Sequence, residues 1–129
     1  MISQGIYDAA LRMIAEIGGG ESTDDYAERA PYLLAAFCCE CASADVDYRA
    51  AHELAAQGAF SGVFLELSEK FPLCERFIYP AECYLASMLL VDEDEALSDK
   101  LYERYCDSIS AIANELPGVS GGIVDRYPM

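Results

Sequence analysis

Two thiols three residues apart can grip a metal ion. "CCEC" at residues 38–41 offers such a pair, because Cys38 and Cys41 share a face if the stretch is helical. A structural zinc site takes four ligands. The chain has no second C-x-x-C and one histidine, His52, so the set would need the distant Cys74, Cys83 or Cys106. The same two cysteines flank Leu34 and Phe37, where a free cysteine behaves as a small core hydrophobe. Packing is therefore their expected role, with the thiols reduced and no metal or cofactor held. His52 could serve as a general base, but no serine or cysteine in a nucleophile-elbow pattern accompanies it. It is expected as a partly exposed helical histidine, and no residue is assigned a catalytic role.

Carboxylates are the other chemistry on offer. Glu95, Asp99 and Glu103 recur every fourth residue, and Glu66 and Glu69 form an E-x-x-E pair. Mg²⁺-dependent all-α nucleotide pyrophosphohydrolases hold their hard cation with such oxygens. Here "ELSE" would have to pair with "DEDE", and the second half lacks an E-x-x-D on a buried face. Phosphates also need cations, and the chain has only eight Lys and Arg against 23 Asp and Glu. A solvated acidic face is the expectation. The net charge of −15 argues against sequence-independent DNA binding, which needs Lys and Arg on phosphates. It leaves room for standing beside DNA without gripping it. It also suits an acidic DNA-mimic inhibitor, whose carboxylates would imitate phosphate spacing.

The elements that must position these residues read as helices. At 129 residues and 53% hydrophobic, the chain is expected to form one domain with a real core. Ile2, Ile6, Ala10, Met13, Ile14 and Ile17 make a stripe at helical spacing, stopped by "GGG" at 18–20. "STDD" supplies an N-cap candidate for a second helix carrying Tyr26, Ala30, Leu33, Leu34, Phe37 and Cys41. Pro31 predicts a kink there, or a new helix beginning at the proline. Residues 44–73 read as a long connection with one short helix, "VDYRAAHELAAQG", stopped by Gly58. "FSGVFLELSEKFP" alternates in a strand-like way.

Phe77, Ile78, Ala81, Tyr84, Leu85, Met88 and Leu89 cover more than one face, so their helix is predicted to be central and buried on most sides. Pro80 falls early in it, where the missing N–H costs least. Asp92 or Asp94 can cap the next helix, whose stripe is Leu97, Leu101, Tyr105, Ile109, Ile112 and Leu116. The expected fold is all-α: a single-domain bundle of four to five helices over 1–116, with an extended C-terminal tail over 117–129. No secretory leader or membrane span is visible, so a soluble intracellular protein is expected.

Tyr84, Tyr102 and Tyr105 cluster around the acidic turn, and tyrosine suits both core edges and interfaces. With them a family comes into view. "DYAERAPYLLAAF", then "FPLCERFIYPAECYLASMLLVDEDEALSDKLYERYCDSISAI", then "IVDRYP" resemble small α-helical head-to-tail connector proteins of tailed phages and prophages. The resemblance lies at Asp25 to Pro31, Pro72 and Leu73, Leu85 to Leu90, Asp92 to Glu95, and Tyr102 to Tyr105. Its motifs are structural; Cys74 and "CCEC" are departures, and "YERY" at 102–105 is an approximate match. The resemblance implies a non-enzymatic subunit in a homo-oligomeric ring at the portal vertex, touching portal and tail or neck proteins. Such a protein would be cytoplasmic in the host and then sit at the head-tail junction. Tight nucleic-acid binding and a membrane are not expected. In the tail, Ile123, Val124 and Tyr127 are expected to anchor an arm on a partner.

Overall fold

A computed structural model describes residues 1–16 and 24–115. Among them are five α-helices and no strand: α1 (Ser3–Glu16), α2 (Asp24–Glu40), α3 (Ala42–Ala51), α4 (Ile78–Leu90) and α5 (Glu95–Ala113). A 3₁₀ turn, Glu75–Phe77, leads into α4. The fold is the all-α helical bundle that the apolar periodicity predicts. The expected "GGG" stop, the caps at Ser22 and Thr23, Leu116 and the tail lie outside the described residues.

The helix α4 is the hub, with α1, α2 and α5 all packed on it. Nine of its thirteen residues are buried, including Ala81, Leu85, Leu89 and Leu90. The sequence led to that placement because the apolar positions circle the helix instead of forming one stripe. Pro80 stands in the first turn, where it removes no helical hydrogen bond. Against α4, α1 sets Ile6, Ala10 and Ile14, and α2 sets Tyr26, Ala30, Leu34 and Phe37. Leu97, Leu101, Tyr105 and Ile112 are buried from α5. Asp94 caps α5, its carboxylate accepting from the Leu97 N–H at 3.1 Å.

Two details depart from the sequence reading, and at Pro31 one of its two alternatives, a new helix, does not occur. Ile2 is exposed rather than on the α1 stripe, because it precedes the helix and forms an isolated antiparallel bridge with Lys70. A single α2 runs through Pro31 with no new helix starting there. The proline leaves the Ala27 carbonyl without its helical donor, but Ala27 is exposed, so water can serve it. The helix in the connecting segment begins at Ala42 and ends at Ala51, well before Gly58. Its stop is Glu53, in the left-handed region at φ 56°. The Leu54 N–H donates to the Arg49 carbonyl and the Glu53 N–H to the Ala50 carbonyl. This is a glycine-type helix ending built with a glutamate.

The strand-like alternation of 63–68 gives no strand. Leu65 is buried and Leu67 half-buried, while Val63 points outward. The stretch that follows acts as a cap. The Ser3 N–H donates to the Glu69 carbonyl at 2.8 Å and the Gln4 N–H to the Leu67 carbonyl at 2.7 Å. The first amides of α1, which have no partner inside the helix, are thus satisfied by a distant segment.

The packing of α5 on α4 yields a direct test. Leu101→Ala should lower stability by about 2–5 kcal/mol, the cost of a large-to-small change in a closed core. Asp99→Ala, on the exposed side of the same helix, should stay within about 0.5 kcal/mol. Urea unfolding followed by circular dichroism reads both, and an unchanged midpoint for Leu101→Ala would reject this face as the core.

Candidate functional site

An open cleft of about 1000 Å³ lies beside the end of α3. Its walls come from the end of α3, residues 54–57, residues 70–75 and the turn before α4. One buried carboxylate organises these walls. Asp45 on α3 is 2% exposed. Its Oδ1 accepts the Cys74 N–H at 2.8 Å and its Oδ2 accepts from Arg49 Nε at 3.0 Å. Arg49 lies one helical turn on, so both share a face. Its guanidinium goes on to donate to the Ala55 carbonyl at 3.1 Å and the Pro72 carbonyl at 3.5 Å. Gln57 Nε2 donates to the same Pro72 carbonyl at 2.7 Å. A segment with almost no backbone ladder of its own is thereby fixed at both ends.

Arg49, Lys70 and Arg76 line the cleft, three of the chain's eight basic residues. Two are committed. Arg49 holds Asp45, and Arg76 makes a forked pair with Glu115 at 2.6–3.2 Å. That pair ties the turn before α4 to the end of α5. The Arg76 guanidinium holds the Glu115 carboxyl below the usual carboxylate range. Lys70 joins no ion pair among the described residues. Glu75 and apolar residues such as Leu54, Phe71 and Ile78 share the lining, so Lys70 is the cation there that no ion pair among the described residues holds.

The residues singled out from the sequence are not gathered here. His52 is exposed, its ring stacked on Tyr48 at 4.0 Å with Nδ1 3.1 Å from the Tyr48 carbonyl oxygen. Glu66 and Glu69 sit outside any helix, where Glu69 Oε1 accepts the Glu66 N–H. Glu95, Asp99 and Glu103 are exposed on α5. Among the described residues no three His, Cys, Asp or Glu side chains are placed to share a metal ion. Ile123, Val124 and Tyr127 lie outside the described residues. Asp45 escaped the sequence reading. Its signal was the Asp45/Arg49 spacing inside a stretch with few apolar markers.

The cysteines of "CCEC" divide by face. Cys38 and Cys41 are buried and Cys39 is exposed. Burial pushes both inner thiols from an ordinary 9.0 up to about 12, and neighbouring anionic groups add to the shift. The expected tyrosine cluster is present. The Tyr105 ring meets Tyr84 edge-on at 5.1 Å and Phe37 edge-on at 5.9 Å, and lies tilted to Tyr102 at 5.3 Å. Its hydroxyl donates to Glu40 Oε1 at 3.1 Å, joining α5 to the end of α2. Burial raises its pKa.

No helix among the described residues is long and apolar enough to cross a membrane. Comparisons of the chain with family models, curated proteins and solved structures return no match.

Two measurements check this geometry. Asp45→Ala leaves Arg49 and the Cys74 amide without their acceptor, and should cost about 3–5 kcal/mol in urea unfolding. Asp45→Asn should cost less, since its amide oxygen can still accept from Cys74; an unchanged midpoint for Asp45→Ala would remove the carboxylate as organiser.

In the native protein at neutral pH, a thiol reagent should modify Cys39 and Cys106 fast and Cys38 and Cys41 slowly. The folded pKa of the inner thiols lies above the unfolded one. Their contribution is full below pH 9.0 and declines as pH rises toward about 12. Rapid native labelling of Cys38 would contradict the burial.

Proposed function

We propose that the chain is a non-enzymatic structural protein of a tailed phage or prophage, a head-to-tail connector subunit that forms a ring at the portal vertex. The observation that supports this reading is where the resembling segments fall. They are the ones whose side chains lock three helices together. Arg29 of "ERAP" donates to the Met88 carbonyl at 2.9 Å, linking α2 to the end of α4. Tyr26 donates to Glu93 at 2.6 Å, linking α2 to the acidic turn. Asp94 of that turn caps α5, and Tyr105 of "YERY" reaches back to Glu40. The resemblance thus lies in the residues that make a stiff subunit, and a ring in a pressurised particle needs stiffness.

Charge is consistent with the role. A ring of subunits at −15 each would present a wall that does not hold passing phosphates. Head-to-tail contacts between identical subunits close into rings when their rotation allows. The 117–129 tail would be the arm, with Ile123, Val124 and Tyr127 as anchors and strand addition as one mode of attachment. The subunit would be made in the host cytoplasm and end at the head-tail junction beside portal and tail or neck proteins.

Mixed with the portal ring encoded in the same genome, the full chain should add a second tier visible by electron microscopy. A portal left bare at saturating chain would reject the connector role. A variant truncated after Pro117 should keep its helical circular dichroism and lose the tier. Equal decoration by the truncated protein would remove the arm while leaving the connector reading intact.

A further inference from the structure

A second depression, of about 580 Å³, lies between α2 and the chain around Phe64. Its floor is apolar although it faces water. Tyr32 is 58% exposed and Phe64 42%, and their rings meet edge-on at 5.0 Å. Val63, next to them in the chain, is 82% exposed. Single exposed apolar residues are ordinary, but two exposed aromatics packed on each other are a surface feature.

The backbone holds this display in place. The Leu65 N–H donates to the Pro31 carbonyl at 3.1 Å, and the buried Leu65 side chain is the anchor beneath. The Cys39 thiol donates to the Gly62 carbonyl at 3.2 Å. The tip of the Phe60 ring lies against Gly62, 2.9 Å from where a Cβ would stand. Val63 and Phe64 are therefore presented between fixed points, and little ordering remains to be lost on binding.

Polarity selects the occupant. Among the described residues, Glu28 and Glu66 line the depression and no Lys or Arg does, whereas the larger cleft carries Arg49, Lys70 and Arg76. We infer that the groove formed by Tyr32, Phe64, Glu28 and Glu66 docks a segment of another protein that has an apolar anchor flanked by Lys or Arg. Aromatic floors with a charged rim concentrate binding energy in the anchor, while the rim sets orientation and rate. A second copy of this chain fits less well. A two-fold contact would bring each copy's Glu28 and Glu66 against their equivalents, between partners of charge −15. The inference does not depend on the connector reading, since any basic partner segment would satisfy it.

The probe is a panel of short fluorescent peptides in which anchor and flanking charge vary independently: Leu or Phe between lysines, the same anchors between glutamates, and lysines around serine. Fluorescence anisotropy with the full chain should favour the lysine-flanked apolar peptides over both others. Tyr32→Ala and Phe64→Ala should each weaken that binding about tenfold. Glu28→Gln with Glu66→Gln should weaken it and flatten its salt dependence. The control variants Asp99→Asn and Glu103→Gln, on the exposed side of α5, should leave it unchanged. All four groove positions are at the surface, and thermal unfolding checks that each variant folds.

Three outcomes overturn the proposal. One is binding that follows peptide charge alone and ignores Tyr32 and Phe64. Another is no binding by any peptide. The third is a self-associated species in sedimentation velocity that Tyr32→Ala dissolves, which assigns the groove to a second copy.

Discussion

A helix buried on most of its circumference must have its polar ends served by its neighbours, and α4 is that helix. Its last four carbonyls have no partner within the helix. The structure supplies partners from three elements. The Ser87 carbonyl accepts from Ser98 Oγ of α5 at 2.8 Å, and the Met88 carbonyl accepts from Arg29 of α2. The Leu90 carbonyl takes the amides of Glu93 and Asp94 in the turn. An unpaired buried carbonyl costs free energy comparable to a lost hydrogen bond. The positions of α2 and α5 are therefore fixed by chemistry at this end, as well as by the apolar area buried along the helix. The acidic turn that looks like an abrupt break after "MLLV" serves the same purpose. It must be polar because it closes α4, opens α5 and receives Tyr26 in one place.

The opposite end of α4 is held by a different device. Residues 52–74 contain no helix or strand, and a chain of that length is costly to order without a ladder. Asp45 substitutes for one. A carboxylate that accepts from both a backbone amide and a guanidinium fixes Cys74, and the guanidinium then gathers the carbonyls of Ala55 and Pro72. Burying the pair is tolerable because each charge is hydrogen-bonded and Arg49 keeps a small opening to solvent. The segment in turn caps α1 through Leu67 and Glu69. An apparently passive connection thus joins the first helix to the central one.

The legible part of the molecule was the part governed by periodicity. Ile6, Ala10 and Ile14, or Leu97, Leu101 and Ile112, declare a buried face because apolar spacing near 3.6 has one structural meaning. The wrap of α4 followed from the same rules, and of Asp92 and Asp94, the two cap candidates, Asp94 is the one whose carboxylate meets the Leu97 N–H. What failed were features set by tertiary partners. The end of α3 rests on a glutamate at φ 56°, and no propensity rule favours glutamate there. Phe64 and Leu65 are apolar neighbours, and the one that faces in is the one whose N–H reaches the Pro31 carbonyl and whose side chain joins the core. The role of Asp45 needed knowledge that Cys74 would arrive beside it, twenty-nine residues later. The tyrosine cluster was foreseen from spacing, whereas its link to Glu40 depends on how α2 meets α5.

The cleft beside α3 and the depression beside α2 are both built on the irregular segment, and a physical reason connects that fact to recognition. The helices turn their apolar faces to α4 and leave solvated carboxylates outside, as Glu95, Asp99 and Glu103 show. A smooth acidic helix surface offers a partner charge without shape. A segment freed from helical geometry can set side chains such as Phe64 and Val63 outward while Leu65 next to them stays in the core. It can also bring Lys70 and Gln57 to a common rim. Shape and polarity then vary over short distances, basic around the larger cleft and acidic around the smaller. Specific association needs that local contrast, because a uniform charge of one sign discriminates among partners only by their net charge.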